Sequence, residues 1–290
     1  MTSTAIDRLR SLLFAPAVCP DFLVKLPESG ADGVVIDCED ATPANAKAEG
    51  RSNAKEIAPQ IAGQGAHVFV RVNAVASSWF DDDVREGLCG ALAGIVVPKL
   101  DRIEHVDHAA AALDAAGHSD LTILAGLETA LGVADACALL DHPRVHAAYF
   151  GAEDFIADMG GVRTESNHEV HYARSRVALA GRLAGVPVLD QVVTDFRNAE
   201  AFARETREAR ELGYRGKLCI HPGQVTLANE GFLPSEEEVD FARRLLDAYE
   251  AATAKGIAAI DFEGQMVDEP LASRARQILA AAAAGTSNEA

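Results

Sequence analysis

Paired cysteines are missing from this chain. Its five cysteines (Cys19, Cys38, Cys89, Cys137 and Cys219) are scattered, odd in number and never arranged as C-x-x-C. That excludes a disulfide framework and a zinc knuckle, and they read as small core residues. Basic residues are scarce: 26 Lys and Arg stand against 44 Asp and Glu, a net charge of −18. Such a surface repels nucleic acid and anionic lipid, so neither is an expected partner. A few local Arg or Lys residues can still reverse the potential inside a cleft. No apolar run approaches the ~18 residues of a membrane span. The early "LLFAPAVC" is short, contains Pro16 and follows Asp7 and Arg8, which makes a poor secretory signal. A reducing cytoplasm is the expected location. There is also no G-x-G-x-x-G after the first strand-like run, which counts against a doubly wound dinucleotide fold.

What is present is a rhythm. Eight short β-type runs recur: "SLLFAP" (11–16), "GVVID" (33–37), "HVFVRVN" (67–73), "GIVVPK" (94–99), "LTILAGLE" (121–128), "AAYFGAED" (147–154), "VPVLD" (186–190) and "KLCIHP" (217–222). Most are continuously apolar, the pattern of strands buried on both faces of a parallel sheet. Ala-rich, charge-bearing segments such as "EHVDHAAAALDAAG" and "RNAEAFARETREARELG" separate them and read as amphipathic helices closed by Gly. Eight βα units predict an α/β TIM (β/α)8 barrel over residues 1–230. Residues 231–290 change character. "SEEEVDFARRLLDAYEAATAKG" is a helix with a capping box at Ser235 and Glu238 and Gly256 beyond its last turn. A hairpin or extended piece and a last helix, "LASRARQILAAAA", follow, and "GTSNEA" should fray. This part is expected to be a C-terminal helical lid and oligomerisation segment.

The loops after the strands of such a barrel carry the active face. There the chain places Asp37, Glu39 and Asp40 after strand two, Arg71 and Asn73 after strand three and Lys99 after strand four. Glu128 follows strand five, Glu153 and Asp154 strand six, Asp190 and Gln191 strand seven, and His221 strand eight. Acids outnumber bases, and close carboxylates repel unless a cation relieves them. Oxygen ligands without Cys and with little His suit a hard ion, Mg²⁺ or its substitute Mn²⁺. Glu128 with one of Glu153 and Asp154 is the natural pair, and Arg71 is placed to hold a substrate carboxylate. Each residue also has a plain structural alternative. Asp154 can cap a helix beginning "FIADM", and Glu128 or Thr129 can cap "ALGVADACALL". Asp37 and Asp40 can brace Arg71 or Lys99. His221 can be a satisfied strand-end histidine, and His105 and His108 a solvated helical face. Convergence on one rim carries the functional reading.

The segments "RSLLFAP", "DCEDATPANAKAEGR", "VRVN", "VPK", "LETALG", "FGAEDFIADMGG", "KLCIHPGQ" and "GQMVDEP" resemble, in order and spacing, the citrate lyase β-subunit-like family. This is the CoA-ester lyase branch of the HpcH/HpaI aldolase superfamily. The resemblance implies a Mg²⁺-dependent carbon–carbon lyase that cleaves or forms a 3-hydroxyacyl-CoA thioester such as malyl-CoA or citramalyl-CoA. The products are a 2-oxo acid and acetyl-CoA or a related acyl-CoA. It implies Glu128 and Asp154 as metal ligands, Arg71 on the oxo-acid carboxylate, and the amides around Gly151 and Ala152 as further anchors. Asp268 of "MVDEP" matches the lid aspartate, the acid/base that often reaches a neighbouring subunit's site in a homo-oligomer (trimer or hexamer). Arg10, Lys99 and the "IHPGQ" loop become contacts for the CoA arm, and Asp37, Glu39, Asp40 and Glu153 supporting groups. Cys38 stands where Leu is common, and Val267 where Ile is usual. Asp40 replaces the His base of the hydroxy-acid aldolases, which points to the thioester lyases. The alternatives are the β subunit of a multi-subunit citrate lyase acting on a carrier-bound citryl thioester, a CoA-independent 2-oxo-acid aldolase, and a malyl-CoA-type thioesterase.

Overall fold

The computed structural model describes residues 6–286. Eight parallel strands close into a barrel in chain order. They are β1 (Ser11–Pro16), β2 (Gly33–Asp37), β3 (Val68–Arg71), β4 (Gly94–Val97), β5 (Thr122–Leu127), β6 (Val145–Phe150), β7 (Val188–Asp190) and β8 (Gly216–Cys219). The ring is sealed where β8 pairs with β1, Lys217 beside Ser11 and Leu218 beside Leu12.

Side chains alternate between the two faces of each strand, and here both faces are buried. Leu12, Val35, Phe69, Val96, Leu124, Tyr149, Leu189 and Leu218 fill the barrel interior. Their neighbours Leu13, Val34, Ile36, Val70, Ile95, Ala125, Ala148 and Cys219 pack outward in the larger core shared with the surrounding helices. This double burial explains why the strands are continuously apolar in sequence. Only Cys38 and Cys219 are fully buried. Cys89 and Cys137 are half-buried and pack against the larger core, and Cys19 is half-buried outside it; all five thiols are free.

Strand six ends earlier than its apolar run predicts. It stops at Phe150, and the helix Ala152–Met159 starts at once, with Gly151 as its N-cap. "AED" therefore forms the first helical turn. Asp154 is inside that turn and does not cap it. The segment after β5 is capped by Thr129, whose hydroxyl accepts from Gly132 N–H at 3.0 Å. It divides into two short helices, Ala130–Ala134 and Ala136–Leu140.

The chain divides into two compact units, the first running to Phe232 and the second from Leu233. The second unit holds the helix Glu236–Thr253, the hairpin β9 (Ile260–Phe262) and β10 (Gln265–Val267), and the helix Glu269–Thr286. Its first helix carries the expected capping box, with Glu238 N–H donating to Ser235 Oγ at 3.1 Å and Ser235 N–H to Glu238 Oε2 at 2.8 Å. Its hairpin turns on Glu263 and Gly264, both at positive φ (51° and 82°), the left-handed pair that a tight two-residue loop demands. Leu245, Leu246, Tyr249, Val267, Ala272 and Ala275 form a core of its own. The last helix continues two residues into the stretch expected to fray, and residues 287–290 lie outside the described residues. No helix among the described residues is long and apolar enough to cross a membrane.

Candidate active site

The alternation that builds the barrel also selects the site. Asp37, Arg71, Glu128 and Gly151 each lie an even number of residues beyond an interior side chain: Val35, Phe69, Leu124 and Tyr149. They therefore open into the same mouth, a cavity of about 450 Å³ that all four line, together with Phe14 and Asp154.

Arg71 is fixed from below. The β2–β3 register sets Asp37 beside Arg71, and the guanidinium donates to both Asp37 oxygens, Nε at 2.8 Å and Nη2 at 2.6 Å. Its Nη1 is 3.2 Å from Glu39 Oε2, and its Cζ lies 5.2 Å from the centre of the Phe14 ring. Burial works against its charge, but Asp37 more than compensates and holds its pKa well above the ordinary value. Two of the five guanidinium donors go to Asp37, which leaves donors for a ligand in the cavity. Asp37 also accepts from the backbone N–H of Glu39 at 2.9 Å. Lys47 Nζ donates to the carbonyls of Cys38 and Glu39 at 2.8 and 2.7 Å, which pins the loop after β2.

Glu128 is the buried acid, 2% exposed. Its Oε2 has no hydrogen-bond partner among the described residues, and neither does the Tyr149 hydroxyl. Burial pushes the Glu128 carboxyl up to about 7, with Asp154 and Glu39 adding to it against the pull of Arg71 and of the Tyr149 hydroxyl, which approaches the carboxyl without completing a hydrogen bond. Burial, with Glu128 beside it, raises Tyr149 well above its ordinary value. Gly151 makes room for this acid. A Cβ there would stand 2.6 Å from Glu128 Cγ and 2.9 Å from its Oε1, closer than van der Waals contact permits. No side chain caps the helix at Gly151, so the N–H groups of its first turn are open to an anion at the rim.

Asp154, in that first turn, is 38% exposed at the side chain and its Oδ1 is 3.4 Å from Lys99 Nζ. The same ammonium reaches Glu39 Oε1 at 2.5 Å and Asp40 Oδ2 at 3.3 Å. Lys99 thus belongs to the carboxylate cluster. Asp37, Glu39, Asp40, Glu128 and Asp154 are opposed by two side-chain cations, Arg71 and Lys99. A divalent ion would relieve that excess, and the unpartnered Glu128 oxygen beside Asp154 is the donor chemistry a hard cation takes. Among the described residues no three acid, thiol or imidazole groups stand together as a complete cage. Mg²⁺ does not require one, because it takes one or two carboxylates and fills its other positions with water and substrate.

Other expected site residues go elsewhere. Arg10 precedes β1 and so sits at the opposite end of the barrel. Its guanidinium clasps Asp32 by two bonds of 2.8 Å, so its expected contact with a CoA arm at the active rim is not met. Asp190 and Gln191 do not join the rim cluster. Asp190 follows the interior Leu189, so it faces outward and is sealed between Arg174 (3.0 Å) and Lys217 (2.7 Å). Gln191 Nε2 donates to Asn167 and Glu205. Glu153 turns away from Asp154 to Arg163, 2.9 Å away. His221 is a satisfied cap: its Nδ1 accepts from Gly223 N–H at 3.0 Å, and its ring stacks on Phe196 at 4.9 Å. His105 and His108 pair with Asp101 and Asp81 on a helical face. Asp268 lies in the second unit, between β10 and the last helix, and its Oδ1 is buried without a hydrogen-bond partner among the described residues. Tyr149, Phe14 and Lys47 were missed. Tyr149 sits two residues after the interior Ala147 and was hidden within an apolar run.

A family model, HpcH/HpaI aldolase/citrate lyase, matches residues 10–222. The chain belongs to this family. Its fold and its lyase chemistry follow from that membership. It is 50% identical over 275 residues to a citrate lyase subunit beta-like protein of Deinococcus radiodurans, covering 93% of this chain and 96% of that one. It is 29% identical to the mitochondrial citramalyl-CoA lyase of Homo sapiens, covering 92% of this chain and 83% of that protein. Among solved structures, the protein CitE from Mycobacterium tuberculosis superposes with a TM-score of 0.82 at 29% identity, covering 94% of this chain and 97% of that one. That structure is a complex with magnesium, acetoacetate and coenzyme A.

Proposed function

We propose that this family member is a Mg²⁺-dependent lyase that cleaves, or in reverse forms, a 3-hydroxyacyl-CoA thioester, giving a 2-oxo acid and an acyl-CoA. The observation that carries the reading is a buried Glu128 whose Oε2 has no hydrogen-bond partner, at the same cavity as Asp154 and a guanidinium held rigid by Asp37. Glu128 and Asp154 would hold the ion. Bound there, Mg²⁺ (or Mn²⁺) would supply positive charge to the substrate's hydroxyl oxygen as it gives up its proton, the oxygen that becomes the carbonyl of the 2-oxo acid when the carbon–carbon bond breaks.

The chain's own groups do the rest. Arg71 binds and orients the carboxylate of the 2-oxo acid half, its plane fixed by Asp37 and Phe14 before substrate arrives. The N–H of Ala152, in the uncapped first turn, anchors the same carboxylate, while the N–H of Gly151 is spent on the Leu127 carbonyl at 3.2 Å. Asp268, whose buried Oδ1 lacks a partner, is assigned the proton transfer at the thioester α-carbon in the condensing direction. We place the enzyme in the cytoplasm as a homo-oligomer, with the unit from Leu233 onward as lid and assembly segment.

The test is a panel of malyl-, citramalyl- and related CoA thioesters incubated with the purified chain and Mg²⁺, read as 2-oxo acid, acyl-CoA and free thiol. The proposal expects 2-oxo acid and acyl-CoA in equal amounts. Free thiol without persistent acyl-CoA would instead identify a thioesterase. Turnover of 2-oxo-acid aldols alone would identify a CoA-independent aldolase. Failure with every CoA ester but turnover of a carrier-bound one would identify a citrate lyase β subunit.

A further inference from the structure

Lys99 is not needed to hold substrate in the mechanism above, yet it occupies the most unusual position at the rim. It is one of three described non-glycine residues at positive φ (54°), a conformation that costs an L side chain energy and persists only where its surroundings hold it. Its ammonium is shared by three carboxylates from two elements: Glu39 at 2.5 Å and Asp40 at 3.3 Å from the loop after β2, and Asp154 at 3.4 Å from the helix after β6. The other acid of the proposed ion pair, Glu128, has one oxygen left unpartnered. One proposed ligand is therefore open, and the other is already held by a cation belonging to the protein.

We propose that Lys99 is the resident counter-cation of the metal-free site and competes with the divalent ion for Asp154. This rests on the reading that Glu128 and Asp154 hold that ion. A positive ion on Asp154 and an ammonium 3.4 Å from the same carboxylate repel each other. Loading therefore breaks the Lys99–Asp154 pair, and the ammonium falls back on Glu39 and Asp40, which are closer to it already. The consequence runs against ordinary intuition for a lysine at an active rim: its removal tightens metal binding. Removing a fallback acid does the reverse, because Lys99 then leans more on Asp154.

The experiment measures Mn²⁺ binding to metal-stripped full-length protein by electron paramagnetic resonance, with Mg²⁺ as competitor and no substrate present. Lys99→Met is expected to bind Mn²⁺ roughly tenfold or more tightly than the parent, since a full charge near the ion is gone. Lys99→Gly, which suits the left-handed backbone and so protects the fold, should show the same gain. Asp40→Asn should weaken binding by about threefold or more for the opposite reason. Unchanged or weaker binding in the folded Lys99 variants, with a parent that binds through Glu128 and Asp154, would overturn the competition alone. A parent whose Mn²⁺ binding survives both Glu128→Gln and Asp154→Asn would remove the metal reading, and the competition with it.

Discussion

Gly151→Ala tests the geometry at its tightest point. The added Cβ would lie 2.6 Å from Glu128 Cγ and 2.9 Å from Oε1, so either Glu128 or the strand-to-helix junction has to move by close to an ångström. Glu128 is 2% exposed and cannot swing into solvent. Overpacking of this kind costs about 1–3 kcal/mol, which for a unit of this size lowers Tm by roughly 2–4 °C per kcal/mol. The larger effect is on the site. Displacing a metal ligand's support typically loses about 10–100-fold in metal affinity, and a comparable misplacement of reacting groups loses about 100-fold in rate. Mn²⁺ titration, circular dichroism and turnover measured on one preparation separate these effects. Gly160→Ala is the control, because Gly160 has φ 67° and nothing within 4 Å of the added Cβ; it should lose stability without losing metal affinity. A Gly151→Ala protein that binds Mn²⁺ like the parent would refute the claim that the glycine exists to seat Glu128.

Three further expectations follow from the same contacts. Glu128 has its carboxyl raised to about 7 in the folded chain, so the fold binds a proton that the unfolded chain releases from near pH 4.5. Its ionisation therefore erodes metal-free stability as pH rises through that window, and Glu128→Gln should be more stable than the parent above about pH 7, by up to about 3 kcal/mol, in urea titrations. Arg71→Lys keeps the charge but loses the two-pronged clasp on Asp37; kcat/KM should fall by about 10–100-fold with Mn²⁺ affinity held, and equal activity would remove the orienting role. Asp268→Ala should abolish condensation while leaving fold and metal binding intact. Mixing it with Arg71→Ala chains should restore part of the activity, and a full-strength Asp268→Ala enzyme would take the residue out of the chemistry.

Much of the barrel was legible because its strands are buried on both faces. "GVVID" and "SLLFAP" stand out as apolar runs, and their observed bounds are Gly33–Asp37 and Ser11–Pro16. The same double burial hid which end residues point inward. Asp37 and Asp190 both close an apolar strand, yet the first enters the cavity and the second is locked behind the sheet by Arg174 and Lys217. Only the parity set by interior residues such as Val35 and Leu189 separates them, and apolar residues on both faces conceal that parity. Arg10 precedes β1 and clasps Asp32, a placement that a motif does not reveal, since it gives order along the chain and not the end of the barrel at which a residue lies. The acids Glu128 and Asp154 were visible by position. Their environment was not, since Tyr149, Gly151 and Lys99 act on them from other strands.

The most direct test of the central claim is calorimetric titration of Mg²⁺ or Mn²⁺ into the metal-free protein at about pH 6 in two buffers of different ionisation enthalpy. Glu128, with its carboxyl near 7, is mostly protonated there and has to ionise to bind the metal. One ion per chain should therefore bind with release of close to one proton, falling towards zero at about pH 8. Glu128→Gln and Asp154→Asn should each abolish most of the binding. Binding with no proton release at either pH, or binding unchanged in both variants, would contradict the assignment of these two carboxylates as the metal site.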